Sequence, residues 1–231
     1  LDGEVEKRDY GTWLHAVLHQ FHQQRLAAAD TETDAARLQR IATEQLVAQA
    51  LPAAEFLPFF TSFERFMPRY LFWLAEAEAA GQRFTAGELD RQIEPFDEGA
   101  LAGLVLRGRI DRVDERAGTT VLIDYKTESV QKLKAKVARP LEDTQLAFYA
   151  ALMPGDGFAA RYLALDDGKG IAEIEHPEVD DTVAQLIEGV SQDLLALHGG
   201  QPLPALGEGD ACTYCEMRGL CRRDDWSEPA L

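Results

Sequence analysis

Two acidic residues follow apolar segments of the kind that form buried β-strands. Asp111 closes an apolar segment that begins at residue 104, and Asp124 follows residues 121–123, with Lys126 two positions further on. Because side chains alternate along a strand, Asp124 and Lys126 should project from the same side. A charge on a buried strand is costly unless it is paired or bound to a metal ion. This segment therefore predicts a functional site.

Two carboxylates and a neighbouring lysine suit the hydrolysis of a phosphodiester. Hard divalent cations such as Mg²⁺ bind one or two carboxylates together with a substrate phosphate. Such an ion lowers the pKa of a bound water and neutralises charge in the transition state. Lys126 would orient or deprotonate that water, or stabilise the developing charge. The alternative is an Asp124–Lys126 ion pair on a solvent-facing strand, assisted by Arg109 and Arg112.

Five short motifs are spread along the chain. They are Gly-x-x-x-His at 11–15, Gly-Arg-Ile-Asp-Arg at 108–112, Asp-Tyr-Lys-Thr at 124–127, Gln-x-x-x-Tyr at 145–149 and Cys-x2-Cys-x5-Cys at 212–221. Their order resembles the PD-(D/E)XK nuclease superfamily. The branch they resemble is the RecB-type exonuclease domain, which also occurs in AddB subunits and in CRISPR-associated relatives. The resemblance covers nearly the whole chain.

The resemblance implies a role for each residue of the predicted metal site. Asp111 and Asp124 would hold the divalent cation, Mg²⁺ or Mn²⁺. His15 and the peptide carbonyl of Tyr125 would be further ligands. Lys126 would act on the attacking water or on the transition state.

The resemblance also implies an activity and its setting. The chain would be a metal-dependent exonuclease that cleaves linear DNA at single-stranded or double-stranded ends. It would serve as the nuclease module of a bacterial helicase–nuclease in DNA repair and recombination. Gln145 and Tyr149 are four residues apart and share a helix face, so they would line the active site or contact the substrate backbone.

Charge limits how this chain can bind DNA. Its formal net charge is −17, so its overall field repels nucleic acid. Binding must therefore rest on local basic patches or on a partner, such as the helicase region of the parent chain or another subunit. The densest basic run lies between Lys126 and Arg139, where phosphate contact and a solvated surface are the two interpretations.

Two other functions compete with this hypothesis. The first is a catalytically inactive DNA-binding or scaffolding module of the same fold. Such a relative should have lost some of His15, Asp111, Asp124 and Lys126, which are all present. The second is a cysteine-rich zinc interaction module, in which the acidic residues would be incidental.

Cys212, Cys215 and Cys221 have the spacing to bind one metal centre together. They resemble the C-terminal part of the iron–sulfur signature in AddB-like members. A [4Fe–4S] cluster or a structural zinc takes four ligands, and the chain has three cysteines. In AddB-like proteins the other cysteine precedes the Gly-x-x-x-His motif, so we expect a longer parent protein with the cluster. Zinc with His198 as the fourth ligand is the alternative.

The hydrophobic pattern predicts an α/β fold in which helices flank a central mixed β-sheet and further helices precede it. The resemblance implies that this fold has a restriction-endonuclease-like core. Helices are predicted over 11–29, 33–50, 55–80, 139–152 and 181–198, and strands over 84–96, 158–165 and 171–175, with a hairpin over 104–127 that turns at 115–119. We expect three parts of one nuclease domain. These are an N-terminal helical part at 1–82, the core at 83–198 and a cysteine segment at 199–231.

Four local predictions accompany this outline. Asp9 should cap the first helix, and Pro68 should kink or break the third. The aromatic residues of the third helix should pack in the core rather than stack on bases. His19 and His22 should lie on the polar face of the first helix. No secretory signal opens the chain, and the clustered cysteines favour a metal or a cytosolic setting, so we expect a cytoplasmic protein without a membrane span.

Overall fold

A computed structural model describes residues 5–27, 31–167, 170–202, 212 and 215–221. Three helices come first, followed by a strand-rich region and a long closing helix. The elements are α1 Lys7–Ala27, α2 Asp34–Ala48, α3 Ala53–Ala79, β1 Gln82–Ile93, β2 Leu106–Arg116, β3 Thr119–Lys126, α4 Val130–Val137, α5 Gln145–Ala151, β4 Ala159–Asp167, β5 Gly170–Glu175, α6 Val179–His198 and α7 Arg218–Cys221.

The five strands form one sheet in the order in which they occur along the chain. β3 and β4 are parallel, and the other neighbouring pairs are antiparallel. The turn between β2 and β3 has positive φ at both Ala117 and Gly118, which is the conformation that matches the twist of a two-residue hairpin. The hairpin predicted from the sequence is therefore confirmed.

Alternation along β3 divides the sheet into two faces. Val121, Ile123 and Tyr125 pack with the core of α1, α2 and α3. Leu122 packs on the opposite face, in the core that includes Leu133 of α4 and residues of α5. Helices thus flank a mixed sheet on both faces, which confirms the predicted fold class. The division into three parts stays a prediction.

The predicted helix over 139–152 is wrong in its first half. Only α5, Gln145–Ala151, lies within this range, while α4, Val130–Val137, precedes it and is separated from α5 by a turn. Pro140 explains the interruption, because a proline disfavours the helical conformation of the residue that precedes it. The side chain of Ser129 caps the start of α4 by accepting from the backbone N–H of Lys132.

The N-terminal helices differ from two local predictions. α1 begins at Lys7, so Asp9 lies in its first turn, where its carboxylate accepts from the backbone N–H of Glu6. α3 continues through Pro68 without a break. Most aromatic residues of α3 pack in the core, where Phe56, Phe63 and Tyr70 are fully buried, but Phe72 is 70% exposed.

A buried polar network joins these helices to β2. The Arg112 guanidinium donates two hydrogen bonds to Asp114, at 2.7 and 2.8 Å, and others to the hydroxyls of Tyr70 and Tyr125. His22 lies 2.6 Å from the Tyr70 hydroxyl and is buried, so its predicted position on a polar face is wrong. Burial and the charge of Arg112 lower the pKa of His22, which therefore accepts hydrogen bonds as a neutral ring.

No helix in the described part of the chain is long and apolar enough to cross a membrane.

Candidate active site

The last residues of β3 bring a carboxylate and an ammonium group together. Asp124 and Lys126 project from the same side of the strand, and Lys126 Nζ lies 2.7 Å from Asp124 Oδ2. Asp124 is only 1% exposed. The alternative of an ion pair on a solvent-facing strand is therefore wrong for this carboxylate.

Asp111, on β2, contributes a second carboxylate to this site. The backbone pairing of β2 with β3 ends where Arg112 lies opposite Ile123, so Asp111 stands just beyond the paired residues. Its Oδ2 accepts the backbone N–H of Tyr125 at 2.9 Å. The carboxylate is thereby fixed beside β3, where the two strands separate.

Two side chains of α5 contact the carboxylates and the lysine. The Tyr149 hydroxyl lies 3.2 Å from Asp111 Oδ1 and 3.0 Å from Asp124 Oδ1. Gln145 donates from its amide nitrogen to the Tyr149 hydroxyl and accepts from Lys126 Nζ at 2.7 Å. Helical spacing thus places the Gln145 and Tyr149 side chains on one face, toward the site.

α1 supplies an imidazole on the other side of Tyr125. His15 Nε2 lies 3.2 Å from the Tyr125 carbonyl oxygen, and His15 Nδ1 lies 3.5 Å from Asp111 Oδ2. The structure therefore brings together all seven residues that the sequence placed at the active site: His15, Asp111, Asp124, Tyr125, Lys126, Gln145 and Tyr149.

One carboxylate at this site was not predicted from the sequence. Glu88 Oε1 of β1 lies 3.8 Å from His15 Nδ1. Glu88 has a φ of 47°, which is a strained conformation for a residue other than glycine. The preceding Gly87 allows β1 to lie close to α1 and β2, since a Cβ at this position would lie 3.1 Å from His19 Nδ1 and 3.3 Å from the Asp111 carbonyl oxygen. The sequence signal for Glu88 is that it follows a glycine, Gly87, within a predicted strand.

Burial makes this group of carboxylates resist ionisation. It raises the pKa of Asp124 to about 7, with the nearby Asp111 as the second cause, while Lys126 acts in the opposite direction. Burial also raises the pKa of Asp111 and of Glu88. A cation bound among these groups would relieve the repulsion. Carboxylate and carbonyl oxygens with one imidazole are a donor set that suits Mg²⁺ or Mn²⁺.

The described residues of the cysteine segment show no second metal centre. Cys212 and Cys221 are half-buried and Cys215 is exposed. Among the described residues, the three cysteines do not form a group of metal ligands with closely spaced donor atoms, whereas His15, Glu88 and Asp111 do, within 4.8 Å of one another. The described residues thus give the predicted iron–sulfur cluster no support.

Comparison with known proteins gives the family. The sequence model of the PD-(D/E)XK nuclease superfamily matches residues 1–222. The chain belongs to this superfamily. No curated protein matches the chain. Among solved structures, one titled "Crystal structure of SSO0001" is 15% identical over 89% of this chain and 94% of that chain, with a TM-score of 0.35.

Membership confirms the resemblance at the level of the superfamily, whose members are typically metal-dependent nucleases. The RecB-type branch stays a prediction.

Proposed function

We propose that this PD-(D/E)XK domain is a divalent-metal-dependent deoxyribonuclease that hydrolyses phosphodiester bonds from the ends of linear DNA. One observation carries the proposal. Asp111 and Lys126 are 15 residues apart in sequence, with Asp124 between them. The Tyr149 hydroxyl nevertheless contacts both carboxylates, and the Lys126 ammonium group pairs with Asp124. A structural ion pair has no need of a second buried carboxylate, which raises the electrostatic cost.

The metal centre in this proposal consists of Asp111, Asp124, the Tyr125 carbonyl and His15. When bound, Mg²⁺ or Mn²⁺ supplies a water of lowered pKa and neutralises charge on the phosphate. The strands and α1 hold these donors in place before substrate arrives. Preorganised donors cost no rearrangement at the moment of reaction.

Lys126 is the residue that would act on the water or on the phosphate. An ammonium group has three protons, and two are directed at Asp124 Oδ2 and Gln145 Oε1, both at 2.7 Å. The third proton is available to substrate. Because two contacts fix the Nζ position, Lys126 can orient a water or stabilise the developing negative charge without first losing side-chain freedom.

DNA binding needs positive charge that the domain largely lacks. Within the basic run after β3, Lys136 is paired with Glu128 and Asp143, and Arg139 with Glu142. Lys132 and Lys134 on α4 are exposed and are our candidates for phosphate contact. We propose that the remaining affinity comes from a partner, the helicase region of a helicase–nuclease that acts in DNA repair and recombination.

The test compares linear DNA, single-stranded and double-stranded, with a closed circle of the same sequence, in the presence of Mg²⁺. We expect the wild type to degrade the linear substrates and to leave the circle intact. Asp124→Asn and Lys126→Met should each lose at least about 100-fold in rate. Asp97→Asn, an exposed acid in the loop after β1, is the matched control and should retain full activity.

Two results would contradict the proposal. Equal digestion by the wild type and both active-site variants would remove the site assignment. Cleavage of the closed circle at the rate of the linear DNA would exclude an exonuclease.

A further inference from the structure

Tyr162, on β4, lies beside the candidate active site and belongs to none of the five sequence motifs. In the parallel pairing of β3 with β4 it is the direct partner of Asp124. It packs in the same core as Leu122, and alternation along β3 places Leu122, Asp124 and Lys126 on one face of the sheet. The Tyr162 ring is therefore on the face that carries Lys126.

The face of the Tyr162 ring is directed at the ammonium group of Lys126. Lys126 Nζ lies 5.6 Å from the ring centroid, within the distance of about 6 Å at which the negative face of an aromatic ring attracts a cation. Tyr162 is only 1% exposed, so water screens this attraction only in part. The ring thus acts on the same Nζ atom as Asp124 and Gln145.

Contacts at the far end of the side chain hold the ring in place. The Tyr162 hydroxyl donates to Asp143 Oδ1, and Asp143 Oδ2 lies 3.4 Å from Lys136 Nζ. An aromatic ring is negative on its face and positive at its edge. Burial of the ring and the hydrogen bond to Asp143 keep the attractive face toward the lysine.

A second ammonium group lies over the same ring, but its charge is balanced elsewhere. Lys136 Nζ lies 5.8 Å from the ring centroid and forms ion pairs with both Glu128 and Asp143. Within the described part of the chain, Lys126 has one ion-pair partner, Asp124. Lys126 therefore depends more on the ring than Lys136 does.

The metal ion of the proposed function makes the ring more important to Lys126. Asp124 would share its negative charge with a bound cation, and that cation would repel the ammonium group. The attraction of Lys126 to Asp124 is then weaker. The ring is no metal ligand, so its attraction for Lys126 is present with and without the ion.

From these contacts we propose that Tyr162 is a positioning residue for phosphodiester hydrolysis. Its ring holds the Lys126 ammonium group where that group can orient the attacking water or stabilise the developing charge. Because Tyr162 is almost completely buried, it acts through Lys126 and not by contact with DNA. The inference rests on the proposed nuclease function.

The test varies the ring at position 162 and measures kcat and KM on linear DNA. Tyr162→Phe keeps the ring and should retain kcat to within about 3-fold, whereas Tyr162→Leu should lose about 5- to 30-fold. Fluorine atoms weaken the negative potential of the ring face while they change its shape little. We therefore expect kcat to fall stepwise when position 162 carries phenylalanine with one, two and three fluorine atoms, at an unchanged KM.

Phe63, which is fully buried in the core of α1–α3, is the matched control. The same fluorinated forms of phenylalanine at position 63 should leave kcat unchanged, and an equal decline there would overturn the proposal. A kcat that does not respond to fluorination at position 162 would also overturn it, as would a rise in KM at constant kcat.

A measurement on metal-free protein without DNA separates this inference from the nuclease activity. Nuclear magnetic resonance relaxation of the Lys126 ε-carbon reports how tightly the side chain is held, and Lys126→Met identifies its signal. We expect the order of this carbon to fall in Tyr162→Leu and to return in Tyr162→Phe. This result in a protein that cleaves no DNA would refute only the nuclease function. Equal order in all three proteins would overturn the role of Tyr162.

Discussion

Replacing Asp124 by asparagine should abolish activity and, at the same time, stabilise the metal-free protein. The pKa of Asp124 is raised to about 7, whereas an aspartate in an unfolded chain titrates near 4. Between these values the folded state keeps a proton that the unfolded state releases. The free energy of unfolding therefore falls as the pH rises from about 4 to about 7.

The size of this effect follows from the shift. The rise of about three units in the pKa of Asp124 corresponds to a loss of about 4 kcal/mol in the free energy of unfolding. This loss is complete above pH 7. Asparagine cannot ionise and can still accept a hydrogen bond from Tyr149, so Asp124→Asn should recover most of this free energy. We expect a gain of about 2 to 4 kcal/mol at pH 8 and about 1 kcal/mol at pH 5.

Urea unfolding with a chelator present, at both pH values, measures the gain. Asp97→Asn removes an exposed carboxylate and should change stability by less than about 0.5 kcal/mol. Adding Mg²⁺ should stabilise the wild type by mass action and leave Asp124→Asn largely unaffected. Destabilisation of Asp124→Asn at pH 8, or an equal gain at both pH values, would refute the reasoning.

Three further predictions concern the surroundings of the site. Tyr149→Phe removes the hydroxyl between the two carboxylates, and it should lower the DNA hydrolysis rate by about 10- to 100-fold without unfolding the protein. Gly108→Ala places a Cβ 2.9 Å from Phe148 and Leu152, and it should lower stability by about 1 to 3 kcal/mol in thermal melts. Arg112→Met removes the charged partner of the buried Asp114 carboxylate and leaves it, among the described residues, only the Gln82 amide as a hydrogen-bond donor, and it should cost about 3 to 5 kcal/mol in urea unfolding. A Gly108→Ala variant as stable as the wild type would show that α5 can move away, and an Arg112→Met variant as stable as the wild type would show that the buried network does not depend on the guanidinium.

The sequence was sufficient to predict what depends on local periodicity. Asp124 and Lys126 were assigned to one side of β3 because side chains alternate along a strand, and Gln145 and Tyr149 to one face of a helix because they are four residues apart. The hairpin followed from two apolar segments around a polar turn. In each case neighbours in sequence determine the geometry.

What the sequence did not reveal depends on contacts between distant segments. The Gly87–Glu88 pair marks an unusual position in β1, but the place of Glu88 beside Asp111 follows from the register in which β1 pairs with β2. The sequence predicts a surface position for His22, whereas its burial follows from contacts with Tyr70 and Arg112, which are 48 and 90 residues away. The predicted helix over 139–152 begins too early for a local reason, because Pro140 disfavours the helical conformation of Arg139.

Tyr125 has a consequence for any attempt to reduce this protein to a smaller nuclease. Its backbone N–H fixes Asp111 and its carbonyl faces His15, while its hydroxyl lies 3.3 Å from both Tyr70 and Arg112 on the other face of the sheet. The peptide groups that shape the metal centre are thus anchored by a side chain within the helical core of α1–α3. Trimming the front helices would remove His15, one of the proposed ligands, and also release the strand that positions the others.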